Sequence, residues 1–64
     1  MNRGEVELEF LDGIEGETDN AVKVSENGEA VWIPLSQISK ITRHPGGTAS
    51  ITMSRWIADK KGLL

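Results

Sequence analysis

The chain carries few side chains that could perform covalent chemistry. The candidate nucleophiles are Ser36, Ser39, Ser50 and Ser54, and the single histidine is His44. None of these serines lies in a Gly-x-Ser-x-Gly turn or a comparable context that would position a nucleophile. Gly46-Gly47 lacks the Lys and Ser/Thr that complete a phosphate-binding loop. With no Cys and one His, the chain also lacks the usual ligands of zinc. We therefore expect no catalytic residues, no cofactor and no metal site.

Aromatic and cationic side chains offer binding chemistry instead. Trp and Arg are enriched at protein-binding hot spots, and small barrels bind single-stranded nucleic acid by stacking bases beside a basic groove. The candidate binding residues are Trp32, Lys23, Lys40, Arg43, His44 and Arg55. The sequence leaves open whether Trp32 is exposed or covered by the C-terminal helix, and we slightly favour the covered position.

Charge is distributed unevenly within a net charge of −3. Residues 1–32 hold nine acidic and two basic side chains, a net −7, whereas residues 33–64 hold five basic and one acidic, a net +4. Such a chain either pairs its two halves internally or presents two different faces to partners. Since nucleic-acid-binding domains are usually strongly basic, the overall acidity favours a protein partner.

Alternating residues predict the strands. Glu5–Phe10 alternates acidic and apolar residues, which predicts a strand with Val6, Leu8 and Phe10 facing the core. The segment 12–20 has two glycines and one apolar residue, Ile14, so we expect a loop or an irregular hairpin end there.

Two hairpins follow from turn residues. Asn27-Gly28 between two β-rich runs predicts a type I′ turn, which places Val24 opposite Val31 and Lys23 opposite Trp32. A later hairpin has a loop at residues 45–47, for which a three-residue loop pairs Ile41 with Ile51 on the core side and a two-residue loop does not. Between the hairpins, residues 35–38 form a short connection, with Leu35 directed inward.

The C-terminal segment predicts a helix of two turns. Ser54 is a favourable N-cap, Lys60 and Lys61 lie in the last turn, and Gly62 ends the helix. We expect this segment to close the core as a lid that carries Trp56.

These elements predict a mainly β fold: a small five-stranded antiparallel barrel, SH3-like or OB-like, with a short C-terminal helix. We prefer the SH3-like alternative because no long helix separates the third and fourth strands. Residues 1–64 would form a single domain with a helical cap at 54–61, since 64 residues cannot build two cores. No apolar run is long enough to span a membrane, and the residues predict a cytoplasmic protein.

Two short elements resemble a family of small bacteriophage and prophage proteins. In that family a W-[LI]-P-K-S-Q-I element precedes a terminal W-[LI]-A-[ED]-K-K-G-L element; here they read Trp32–Ile38 and Trp56–Leu63. Residues 17–21, Glu-Thr-Asp-Asn-Ala, resemble the family's E-T-x-K-A entry to a strand. Leu35 and Asn20 stand where the family often has Lys. The resemblance covers residues 17–64. It implies a phage protein that acts inside the host cell as an accessory of phage DNA replication or recombination, or of the conflict with host defence.

We therefore predict a non-enzymatic phage-type accessory protein that acts by protein–protein interaction. The alternative is a module that binds single-stranded DNA or RNA, and a homo-oligomer could form through a sheet edge. We expect no membrane partner.

Overall fold

The computed structural model describes residues 4–64. Within this range the chain forms six strands, one 3₁₀ turn and one helix, in the order β1 (Glu5–Phe10), β2 (Ile14–Glu17), β3 (Ala21–Glu26), β4 (Glu29–Pro34), a 3₁₀ turn (Leu35–Gln37), β5 (Ile38–Arg43), β6 (Ala49–Ser54) and α1 (Arg55–Lys60).

The strands form two antiparallel three-stranded sheets. Sheet I has the order β1-β6-β5 and sheet II has the order β2-β3-β4. The mainly β class and the short C-terminal helix are confirmed. The predicted number of five strands is corrected, because the described residues form six strands, in two sheets that no hydrogen-bonded strand pair joins.

Sheet I follows the predicted alternation. β1 pairs with β6 so that Leu8 lies opposite Ile51 and Phe10 opposite Ala49. Phe10 and Ile51 are buried, while the glutamates between the apolar residues of β1 face outward. The β5–β6 hairpin has the predicted three-residue loop, since Ile41 lies opposite Ile51.

The loop of that hairpin is closed by backbone hydrogen bonds. The His44 N–H donates to the Thr48 carbonyl at 2.9 Å, and the Gly47 N–H donates to the His44 carbonyl at 3.3 Å. Gly47 has φ +95°, the left-handed conformation that the predicted loop requires.

The β3–β4 hairpin has the predicted register throughout. Val24 lies opposite Val31, Lys23 opposite Trp32, and Glu26 opposite Glu29. Asn27 has φ 54° and Gly28 has φ 82°, and a type I′ turn needs positive φ at both residues.

The expectation of a loop at 12–20 is wrong for its centre, where Ile14–Glu17 forms β2, the irregular first strand of a hairpin with β3. β2 pairs with β3 through a register shift between Ile14 and Gly16. These four residues include a bulge and one apolar side chain, so apolar and polar residues hardly alternate along them. The segment is a strand because it pairs with β3, and its local sequence pattern does not predict it. The Thr18 hydroxyl oxygen closes the turn to β3 by accepting from the Ala21 N–H at 3.1 Å.

The core lies between the two sheets and α1. Its largest fully buried side chains are Ile33, Ile51, Met53, Val22 and Val24. Leu35, which the sequence placed inward, is 36% exposed because it lies on the 3₁₀ turn at the border of the core.

The helix closes the core as predicted, but not through Trp56. Ser54 is the N-cap, and its hydroxyl oxygen accepts from the Ile57 N–H at 3.2 Å. Ile57, Ala58 and Leu63 are buried, and Leu63 returns to the core because its N–H donates to the Ala58 carbonyl at 2.8 Å. The expectation that Trp56 covers the core is wrong, since its side chain is 61% exposed.

Two glycines should respond differently to substitution by alanine, and this difference tests the packing. Gly13 has φ +69°, and a Cβ atom there would overlap the Gly47 carbonyl oxygen, whereas a Cβ atom at Gly16 would be at least 3.6 Å from its neighbours. We expect Gly13→Ala to lower the free energy of unfolding by at least about 1–2 kcal/mol. We expect Gly16→Ala to leave it unchanged or to raise it by up to about 1 kcal/mol. Urea unfolding of the two variants measures both, and equal stability of the pair would contradict the packing described here.

Candidate functional site

The outer face of sheet II carries an exposed tryptophan. Trp32 on β4 is 42% exposed and lies opposite Lys23 on β3, which in turn lies opposite Gly16 on β2. The Lys23 Nζ atom is 5.9 Å from the centroid of the Trp32 ring, within the range of a cation–π contact. Lys23 and Trp32 therefore share the outer face, as the register predicted.

The indole ring lies across the sheet rather than standing out from it. A Cβ atom at Gly16 would lie 3.8 Å from Cη2 of Trp32, although β3 separates the two strands. Trp32 therefore reaches over β3 towards β2, where Gly16 has no side chain to contact the ring.

Small side chains surround this ring. The register places Ala21 opposite Pro34 and Ser25 opposite Ala30, on the same face as Trp32. We define the Trp32 surface as Trp32 together with its neighbours on the outer face of sheet II, which are Gly16, Ala21, Lys23, Ser25, Ala30 and Pro34. Its one charged member is Lys23.

Arg43 and His44 have partners of their own. Arg43 forms an ion pair with Glu17, which links β5 to the end of β2, and both side chains are more than half exposed. His44 is half-buried, and its Nε2 atom lies 2.9 Å from the Ser50 hydroxyl oxygen on the neighbouring strand. Both residues are therefore engaged in contacts within the fold.

Lys40 and Arg55 lie on other elements. Lys40 is opposite Thr52 on the outer face of sheet I, and Thr52 is opposite Glu7 in the same row. Arg55 begins α1 and lines, with Trp56, Asp59 and Leu64, an open depression of about 500 Å³. Of the six candidate binding residues, the structure brings together Trp32 and Lys23, and the four others do not complete a basic groove around them.

Sequence reasoning missed the exposed position of Trp56. Its ring contacts Lys60, whose Nζ atom is 5.1 Å from the ring centroid. Residues 56 and 60 are four apart and share one helical face, while Ile57 and Ala58 occupy the opposite, buried face. The four-residue spacing of Trp56 and the charged Lys60 was the available signal, since it places the ring on the same helical face as a cation.

Metal-ligand clusters and membrane-spanning helices are both absent from the described residues. Residues 4–64 contain no group of three or more His, Cys, Asp or Glu side chains placed to hold a metal ion. No helix in the same range has the length and apolar character needed to cross a membrane.

Comparisons of the chain with protein-family models, with curated proteins and with solved structures found no match. The resemblance to small phage proteins therefore stays a prediction that rests on its two short sequence elements.

Tryptophan fluorescence tests the exposure of both rings. We expect Trp32→Phe and Trp56→Phe, each of which leaves one tryptophan, to show red-shifted emission and efficient acrylamide quenching, because both rings contact solvent. Blue-shifted emission with weak quenching in either variant would mean that the remaining ring is covered, contrary to the structure.

Proposed function

We propose that this chain is a non-enzymatic interaction module that binds a protein partner through the Trp32 surface. The observation that carries the proposal is a tryptophan lying flat and 42% exposed among small, mostly uncharged side chains on a regular sheet. Rigid aromatic side chains that lose water on contact dominate the binding energy of many protein interfaces. The fold does not need this exposure, since Trp32 lies on the face of β4 opposite to the buried Ile33.

The charge of sheet II favours protein over nucleic acid as the partner. From Ile14 to Pro34 the chain has five acidic side chains and one basic, a net −4. One of the five, Glu17, is paired with Arg43. A phosphate backbone approaching Trp32 would meet this negative field, whereas binding of nucleic acid depends on neutralising phosphates with Lys and Arg.

The proposal also covers the type of β fold and the cellular setting. We propose that the two sheets are arranged in an SH3-like rather than an OB-like way, supported by the short connections and by the 3₁₀ turn, in place of a long helix, between β4 and β5. We also propose that the chain acts in the cytoplasm of a bacterial host as an accessory of phage DNA metabolism or of the conflict with host defence. The two phage-like sequence elements support this setting.

Those two elements also have a role in folding. Oε1 of Gln37 in the first element accepts from the Ser54 hydroxyl at 2.7 Å, and Ser54 is the N-cap of the helix that carries the second element. Their occurrence together is therefore consistent with packing requirements as well as with a shared function.

Binding of single-stranded nucleic acid is the second candidate function. The contact between Lys23 and the Trp32 ring favours it, because a base could stack on the ring while the ammonium group contacts a phosphate. Lys23 supplies the one positive charge between Ile14 and Pro34, where the net charge is −4, so we rank this function second.

Matched tryptophan variants test the proposal. The immobilised chain would be compared with Trp32→Ala and Trp56→Ala in affinity capture from a bacterial lysate. Partners that the native chain recovers should be lost with Trp32→Ala, since a hot-spot tryptophan contributes at least about tenfold to affinity. They should be retained with Trp56→Ala, which removes an equally large exposed ring from α1. Circular dichroism establishes that each variant is folded, and equal recovery by all three proteins would refute the proposal.

Fluorescence titration with oligo(dT) separates the second candidate. Our expectation is that no binding occurs at low salt, because sheet II repels phosphate. Binding that weakens with rising salt and disappears in Trp32→Ala would show that the Trp32 surface binds nucleic acid.

A further inference from the structure

Strand β4 has one neighbour, so half of its backbone groups face an open edge. In a two-residue hairpin the residues that close the loop, here Glu26 and Glu29, form a hydrogen-bonded pair, and hydrogen-bonded pairs then recur at every second residue. Val31 and Ile33 therefore bond to β3. The N–H and C=O groups of Ala30 and Trp32 point away from β3 towards the edge, as does the Pro34 carbonyl.

The four outer strands of the two sheets differ in how their edges are protected. Natural sheets protect their edges with charged side chains, bulges and proline. β1 carries three glutamates, at positions 5, 7 and 9. β5 has two cations and a register shift between Ile38 and Lys40. β2 has two glutamates and the register shift before Gly16.

β4 lacks these protections along most of its length. From Ala30 to Pro34 it has no charged side chain, and its register with β3 is unbroken. Pro34 withholds one donor, but it is the last residue of the strand. The Trp32 ring leans away from this edge towards Gly16, so the backbone groups beside it are not covered by the indole.

We propose that the β4 edge accepts an extended basic segment of a partner protein as an additional strand of sheet II. This inference rests on the proposed function and specifies how the partner binds. Edge-strand addition draws its affinity from main-chain hydrogen bonds and its specificity from alternate side chains. Side chains on one face of the added strand lie beside Trp32, and those on the other face lie beside the half-buried Val31.

The basic character of the segment follows from charge. Sheet II with its connecting turns has a net charge of −4, and Glu29 stands at the start of β4 itself. Lys and Arg side chains on the incoming strand therefore meet a complementary field. A second copy would bring the same acidic segment against the first, and nucleic acid would bring phosphates, so both are disfavoured.

Selection from a library of random octapeptides identifies the preferred segment. The native chain should enrich peptides that combine Lys or Arg with alternating β-branched residues. Binding of an enriched peptide should weaken at high salt because surface charge pairs are screened. Enrichment of acidic peptides, or no enrichment at all, would overturn the inference.

Two variants at one position test the mode of binding. Ala30→Pro removes an N–H that does not bond to β3, so it should weaken an enriched peptide about two- to tenfold, the effect of one main-chain hydrogen bond. Ala30→Ser keeps the N–H and should bind like the native chain.

Glu29→Lys reverses a charge at the edge without altering the backbone and should weaken the binding of basic peptides severalfold. Equal affinity across the native chain and these three variants would overturn the inference.

Three further outcomes identify other occupants or other surfaces. A dimer in sedimentation velocity that Ala30→Pro dissociates would assign the edge to a second copy. Oligo(dT) binding that is sensitive to Ala30→Pro would assign it to nucleic acid. Peptide binding that is lost in Trp32→Ala but unaffected by Ala30→Pro would leave the proposed function standing and refute strand addition alone.

Discussion

The pairing register of the β3–β4 hairpin determines which side chains form the core and which form the candidate binding surface. A strand turns alternate side chains to opposite faces, so a slip of one residue would exchange the two sets. The type I′ turn at Asn27-Gly28 fixes the register, and it buries Val22, Val24 and Ile33 between the sheets. The same geometry places Trp32 outside, because it alternates with Val31 and Ile33. The burial of the core and the exposure of the tryptophan are therefore two results of one turn.

The acidic side chains of the first half of the chain and the basic side chains of the second half lie mostly apart in the fold, and few of them form ion pairs with each other. Among the described residues, one ion pair, Arg43 with Glu17, connects the basic second half to the acidic first half. Sheet II consequently keeps most of its negative charge, while Arg55, Lys60 and Lys61 lie at or beside α1. The molecule thus presents an acidic sheet and a basic helical end, which fits a protein that distinguishes partners by charge.

Local turn chemistry predicted more of this structure than composition did. Both hairpin registers followed from the turn residues, since Asn27-Gly28 and the 45–47 loop each allow few geometries. β2 was not predicted because it contains a bulge and one apolar residue, and its strand character comes from pairing with β3. The predicted position of Trp56 was wrong because the buried face of the helix carries Ile57 and Ala58, while Trp56 lies on the exposed face beside Lys60.

Some residues of the candidate site were predictable from the same local turn geometry. Lys23 and Trp32 are neighbours through one hairpin, so a local rule brings them together. The positions of Arg43, Lys40 and Arg55 relative to Trp32 depend on how sheet I and α1 are arranged around sheet II. That arrangement comes from packing between distant segments, and a single sequence read by local pattern does not contain it.

The measurement that tests the central claim most directly is amide hydrogen exchange of β4 in the free protein, followed by NMR. The account predicts an alternation along the strand: the amides of Val31 and Ile33 should be protected close to the limit of global unfolding, while those of Ala30 and Trp32 exchange rapidly. Uniform protection along β4, or protection shifted by one residue so that Trp32 is slow and Val31 is fast, would contradict both the register and the open edge.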